Sequence, residues 1–225
     1  MDPSLRRAWT QIVTGEDYDE HMAKIGQAQA SAVLTCQILC SAQPPAGGRV
    51  VMAGAGTGQL LDFADAALFR PFRLTFTDLN PAFLARLARR LVQHGLVATV
   101  LEDDIERTMI EPEPDLLLAT LLLEHIDWHR GVEALTGLRP AACGIVMQEN
   151  PEGMTSAITP SRQIPPSLAK AGEIAHATLV PREDLVAAFA ARGYVCKDTW
   201  TCAVADGKRL VAVLFVREEP LSHAV

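Results

Sequence analysis

Between Arg49 and Gln148, short apolar runs alternate with segments of helical periodicity, and this alternation constrains the fold more than any other feature of the chain. Arg49-Val50-Val51-Met52-Ala53 is an apolar run of the kind that forms a strand buried on both faces. Arg73 to Thr77 predicts a second strand, Ala98 to Leu101 a third, Asp115 to Ala119 a fourth and Gly144 to Gln148 a fifth. A helix is expected after the first strand. Another is expected from Asn80 to His94, with Phe83, Leu84, Leu87, Leu91 and Val92 on its apolar face, and others over Trp128 to Leu138 and Arg182 to Arg192. Strands separated by helices imply a parallel sheet covered on both faces and wound by right-handed crossovers. Near the C-terminus, Tyr194 to Val204 and Arg209 to Val216 are β-prone runs joined around Asp206-Gly207, a hairpin signal. The expected architecture is α/β: a doubly wound, mainly parallel seven-stranded sheet that closes in an antiparallel hairpin.

Ahead of this rhythm, apolar residues from Asp17 to Cys40 recur at helical spacing and predict one helix, with Asp17 as its N-cap. Gln43-Pro44-Pro45-Ala46-Gly47-Gly48 ends it. The chain thus divides into an N-terminal helical appendage, residues 1–45, and a domain over 46–225. That domain carries an insertion at about 151–180, rich in Pro, Gly and polar residues. A length of 225 residues suits one α/β domain.

The net charge of −7 argues against a nucleic-acid partner, which needs concentrated Lys and Arg. The basic stretch Arg86-Leu87-Ala88-Arg89-Arg90 reads as a solvated helix face. No apolar run approaches the roughly 18 residues of a membrane span. The opening residues lead into no signal core, and the five cysteines form no CxxC pair, so free thiols in a cytoplasmic protein are expected. Cys36 and Cys40 lie one helical turn apart without further ligands at useful spacing, and no metal is expected. A monomer and a homodimer are both compatible with the sequence.

In an open parallel sheet, ligands bind beyond the carboxyl ends of the strands. The turn after the first strand is Gly54-Ala55-Gly56-Thr57-Gly58, where glycines let a backbone approach a ligand. Tight packing and dinucleotide binding use similar loops. The second strand ends at Asp78, 20 residues after Gly58. An acid at that place can accept hydrogen bonds from ribose hydroxyls, or can cap the helix beginning near Asn80. The third strand runs out in Glu102-Asp103-Asp104-Ile105, where a carboxylate can meet an adenine amino group or simply sit in a solvated loop.

Taken in series, these features resemble the class I S-adenosylmethionine-dependent methyltransferases over roughly Val50 to Ala142. Val50 to Gly58 is similar to that family's first motif, Asp78 to its ribose-binding acid, and Asp104-Ile105 to its adenine-contacting pair. Asp115 to Ile126, with Leu123-Glu124-His125-Ile126, and Leu138-Arg139-Pro140-Ala141-Ala142 resemble later motifs. The resemblance implies S-adenosyl-L-methionine as cofactor, held by Tyr18, Ala53, Gly54, Ala55, Gly56, Gly58, Asp78, Leu79, Asp103, Asp104, Ile105, Thr120 and Leu121. Met52 stands where the family often keeps an acid.

His125 is a candidate general base, or a structural histidine at a helix start. In the related ubiquinone-type enzymes a Glu-x-x-Glu-His arrangement holds a divalent metal; here Leu121 replaces the first acid. A small-molecule acceptor, methylated on oxygen or nitrogen, is expected to meet His21, Glu149, Asn150, Arg162 and His176. A catalytically inactive S-adenosylmethionine-binding protein acting through a partner and an NAD-type oxidoreductase are the competing readings.

Overall fold

The computed structural model describes residues 3–155, 163–174 and 177–218. Seven strands, β1 (Arg49–Ala53), β2 (Arg73–Asp78), β3 (Ala98–Glu102), β4 (Leu116–Thr120), β5 (Ala142–Glu149), β6 (Tyr194–Ala203) and β7 (Arg209–Arg217), form one sheet in the order β3-β2-β1-β4-β5-β7-β6. The first five are parallel, and β7 runs antiparallel between β5 and β6. The expected sheet and its closing hairpin are therefore present. Side chains alternate across β1: Val50 and Met52 enter the core on one face, Val51 and Ala53 that on the other. Because β2 and β4 flank β1 on opposite sides, the strand order reverses there and opens a crevice above the carboxyl ends of β1 and β4.

The N-terminal region differs from expectation. In place of one helix from Asp17 there are two, α2 (Gly15–Lys24) and α3 (Gln27–Ala42), preceded by a short α1 (Pro3–Arg7) that continues as one wide turn over Ala8–Ile12. Gly26, at φ 80°, breaks the run in a left-handed conformation that suits glycine. The cap of α2 is Thr14, whose hydroxyl accepts from the Asp17 amide.

No α-helix follows β1; only 3₁₀ turns at Gln59–Asp62 and Ala66–Leu68 form. The cause is competition for the sheet face. Leu34 and Ile38 of α3 share one core cluster with Val50, Met52, Leu60, Leu61 and Leu118. Gly144 permits the approach, since a Cβ there would lie 2.5 Å from Ile38 Cγ2. Each buried aliphatic of this kind contributes about 1.5–3 kcal/mol. The helix α4 (Pro81–Gln93) buries Phe83, Leu84, Leu87 and Leu91 as expected, but Val92 is 81% exposed and leaves the face.

On the opposite side of the sheet lie α5 (Trp128–Gly137) and α7 (Arg182–Ala190), with Phe189 stacked on Phe215 at 3.9 Å. The short α6 (Pro166–Gly172), within the expected insertion, packs instead against α2 and the turn at Ala8–Ile12. Ser167 receives the Thr14 amide on its hydroxyl and donates its own amide to Asp17, whose carboxyl pKa is lowered by hydrogen bonding to the Ser167 side chain and amide.

Candidate active site

The glycine loop is fixed to β2 by two bonds. Ala55 N–H donates to the Thr77 carbonyl at 2.8 Å, and Gly56 N–H donates to Asp78 Oδ2 at 2.8 Å. The other Asp78 oxygen accepts the Asn80 amide at 2.8 Å, so one carboxylate joins the exits of β1 and β2. Desolvation raises its pKa against the pull of these N–H donors. The cap of α4 is Asn80, whose Oδ1 takes the Ala82 and Phe83 amides. Gly56 holds φ 59° with its missing Cβ 3.8 Å from the Tyr18 ring, so a side chain here would be strained and would narrow the crevice.

Aromatic side chains roof this crevice. Trp9 meets His125 edge-on at 4.6 Å and Tyr18 at 6.1 Å, while Tyr18 lies 5.3 Å from Phe83. Asn80 Nδ2 donates to the Trp9 carbonyl at 2.7 Å, and Arg6 pairs with Asp104 at 3.1 Å, so the N-terminal segment is tied across the β2 and β3 exits. Burial and nearby acids raise the Tyr18 pKa, and burial holds His125 down to about 4.

Beneath the roof a space of about 80 Å³ is bounded by Tyr18, Gly54, Gly56, Asp78, Leu79, Asp103, Asp104, Ile105, Thr120, Leu121 and His125. An adjoining space of about 40 Å³ adds Ala55, Thr57, Gln59, Gln27 and Met52. Two buried oxygens there, Gln59 Oε1 and Thr120 Oγ1, have no partner among the described residues. Ala53 lies instead in the core behind the loop, and Gly58 packs against Leu87 and borders neither space. Asp103 is turned to Thr108 Oγ1 and the Met109 amide at 2.8 and 2.7 Å. His125 sits in a 3₁₀ turn, Leu123–His125, rather than at an α-helix start.

Beyond Leu121, which holds φ 52° at the junction, opens a cavity of about 610 Å³. It is lined by Trp9, Val13, Met22, Ile25, Leu168 and Ala171 among others, together with His21, Glu124, His125, Gln27 and Gln148. Of the expected acceptor contacts, His21 is here. Glu149 is not: it is drawn into ion pairs with Arg209 at 2.5 Å and Arg182 at 3.5 Å. Asn150 is likewise occupied, accepting from Gln148 Nε2 and donating to the Met154 carbonyl. Arg162 and His176 lie outside the described residues.

The basic stretch of α4 is not a solvated face. Asp19, 7% exposed, accepts from Arg86 Nε and Nη2 at 3.2 and 2.9 Å, from Arg90 Nη2 at 2.8 Å and from the Thr57 hydroxyl. Arg86 also pairs with Glu16, and Arg90 with Asp62 at 2.8 Å while donating to the Thr57 carbonyl. These bonds clamp α2, and Tyr18 with it, onto the glycine loop. Nothing in the local sequence announces them, since Asp19 and its arginines are 67 and 71 residues apart.

No family model and no curated protein matches the sequence. Solved structures do match. Magnesium protoporphyrin IX methyltransferase from Synechocystis PCC 6803, with bound SAH, superposes at a TM-score of 0.65 with 14% identity over 96% of this chain and 93% of its own. The chain has the class I methyltransferase fold. Geranyl diphosphate C-methyltransferase from Streptomyces coelicolor A3(2), in complex with Mg2+, geranyl diphosphate and S-adenosyl-L-homocysteine, matches at a TM-score of 0.58 with 11% identity over 82% of this chain and 78% of its own. A Rhodobacter sphaeroides protein described as a zinc-dependent alcohol dehydrogenase matches at 0.68 with 16% identity over 97% and 100%. At such identities the likeness speaks to fold. The reversed β7, inserted between β5 and β6, departs from the dinucleotide-sheet order 3-2-1-4-5-6. Among the described residues no cluster of three or more His, Cys, Asp or Glu is placed to hold a metal ion, and no helix is long and apolar enough to cross a membrane.

Proposed function

We propose that the chain is an S-adenosylmethionine-dependent methyltransferase that methylates an oxygen or nitrogen of a small-molecule acceptor. One observation carries the reading: Asp78 is held by the Gly56 and Asn80 amides at the switch-point crevice, where it borders the roofed space together with Leu79 and Ile105. The residues fit the cofactor. Each Asp78 oxygen keeps acceptor capacity for a ribose hydroxyl. Gln59 Oε1 and Thr120 Oγ1, buried beside Gly54 without partners among the described residues, suit the ammonium of a methionine end and stand in for the acid missing at Met52. When bound, S-adenosylmethionine supplies a methyl group activated on sulfur.

The protein's share is placement and exclusion of water. The roof of Trp9, Tyr18 and Phe83 seals the crevice, and Leu121 separates it from the 610 Å³ cavity in which an acceptor would lie, so that methyl group and nucleophile would meet in a fixed line. The two inner spaces, at about 80 and 40 Å³, are well below the roughly 300 Å³ of ordinary ligand pockets. Binding therefore displaces the aromatic roof, hinged on the segment that precedes Thr14. Asp104, paired with Arg6, takes the adenine amino group only as that segment moves.

Asp78→Ala tests the reading. It should weaken S-adenosylhomocysteine binding by about 1–3 kcal/mol, the cost of stranding buried polar partners; unchanged affinity would place the ribose elsewhere. A second reading, an inactive cofactor-binding protein, draws on Met52, which lies 3% exposed between Phe76 and Leu118 where an acid is common. Tight cofactor binding without turnover across an acceptor panel would favour it.

A further inference from the structure

Glu124 is 4% exposed and lines the large cavity. Its Oε1 accepts the Gln148 amide at 2.7 Å, while Oε2, fully buried, has no partner among the described residues. Gln148 in turn accepts from Gln27 Nε2 at 2.6 Å, so β5 and the start of α3 hold the carboxyl in place. His21, on α2, lines the same cavity 8% exposed, and its Nδ1 is buried without a partner among the described residues. Gln27, Gln148, His125, Thr155 and Glu173 are the other polar members of a wall that is otherwise apolar. Two buried polar atoms without a partner among the described residues thus belong to side chains that line one largely apolar volume.

Resting on the reading that this cavity receives the methyl acceptor, we propose that Glu124 and His21 form a polar end-wall that selects an uncharged, largely apolar acceptor bearing a hydrogen-bond donor, such as a phenol or an aromatic amine. The donor O–H or N–H satisfies Glu124 Oε2, and His21 Nδ1 supplies a second polar contact. Anionic acceptors are disfavoured, because a further carboxylate beside the buried Glu124 adds like charge. Molecules of the same shape without a donor leave the oxygen stranded.

The test is equilibrium binding of 1-naphthol, 1-methoxynaphthalene and 1-naphthoate to the full chain at about pH 8, with and without S-adenosylhomocysteine, where Glu124 is ionised. We expect 1-naphthol to bind about tenfold or more tightly than either of the other two, the usual gain from a hydrogen bond to a charged group. Glu124→Gln should bring 1-naphthoate within about threefold of 1-naphthol, and Leu168→Trp, which narrows the cavity, should weaken binding of all three. Equal affinity of 1-naphthol and 1-methoxynaphthalene, undiminished binding of all three in Leu168→Trp, or no binding of 1-naphthol would overturn the assignment. The wild-type series stands even if a variant fails to fold. S-adenosylhomocysteine affinity, read in the same titrations, reports separately on the methyltransferase reading.

Discussion

Replacing Asp19 by Asn should loosen the clamp between α2 and the glycine loop. The wild-type carboxylate is 7% exposed and accepts three guanidinium N–H bonds and the Thr57 hydroxyl. Removing one partner of a fully buried ion pair costs about 3–5 kcal/mol. Two features lower that figure. The Arg86 and Arg90 side chains are 24% and 13% exposed, and each keeps a second acid, Glu16 and Asp62 respectively. The amide oxygen of Asn can still accept from Thr57, so the loss reduces to the charge-assisted part, about 2–3 kcal/mol. For a chain of this size that corresponds to a midpoint about 5–10 °C lower. Thermal melting followed by far-ultraviolet circular dichroism measures the shift, and hydrogen exchange shows whether α2 amides open first. Asp62→Asn, at a 35% exposed site, is the control and should cost less than half as much. A midpoint within about 1 °C of wild type, with α2 amides as protected as before, would mean that Asp19 anchors nothing.

Further expectations concern the loop, the roof and the buried carboxyl. Gly56→Ala forces a left-handed alanine and should cost about 1–2 kcal/mol in stability, seen in denaturant melts, and should weaken S-adenosylhomocysteine binding because its Cβ faces Tyr18. Adding S-adenosylhomocysteine should change tryptophan fluorescence as the roof moves, and Trp9→Phe should remove most of that change; an unaltered signal in the variant would locate the motion elsewhere. Burial raises the Glu124 pKa from 4.5 to about 7, so the folded chain keeps this proton where the unfolded chain has lost it. That contribution is complete below about pH 4.5 and disappears as pH rises through about 7, for a total near 3 kcal/mol. The stability of wild type relative to Glu124→Gln should therefore fall between pH 5 and 8. The lowered pKa of His125 acts with the opposite sign, but it is common to both proteins and cancels in the difference.

The sheet was legible because buried parallel strands are continuous apolar runs: Arg49–Ala53 is found where expected, and Asp78 and Leu121 lie at the strand exits that the motif order implied. Helices failed where tertiary competition decided them. The residues after Gly58 have enough apolar side chains for a helix, but Leu34 and Ile38 of α3 already cover that face of the sheet. Arg86 and Arg90 looked solvated because helical spacing reports a face and not what lies across from it. Glu149 lies outside the large cavity because it pairs with Arg209, its register partner on β7, a pairing that only the strand order makes visible. Trp9, Gln27, Gln59 and Gln148 gave no signal at all: single aromatic and amide side chains carry no spacing. Gly26 was the signal overlooked, since a glycine within a long helical pattern marks a possible end.

Binding of the cofactor product tests the central claim most directly. Calorimetric titration of the full chain with S-adenosylhomocysteine, and in parallel with NAD, should give saturable binding of the former at about micromolar concentration and none of the latter. No binding of S-adenosylhomocysteine at about millimolar concentration, or tighter binding of NAD, would contradict the account.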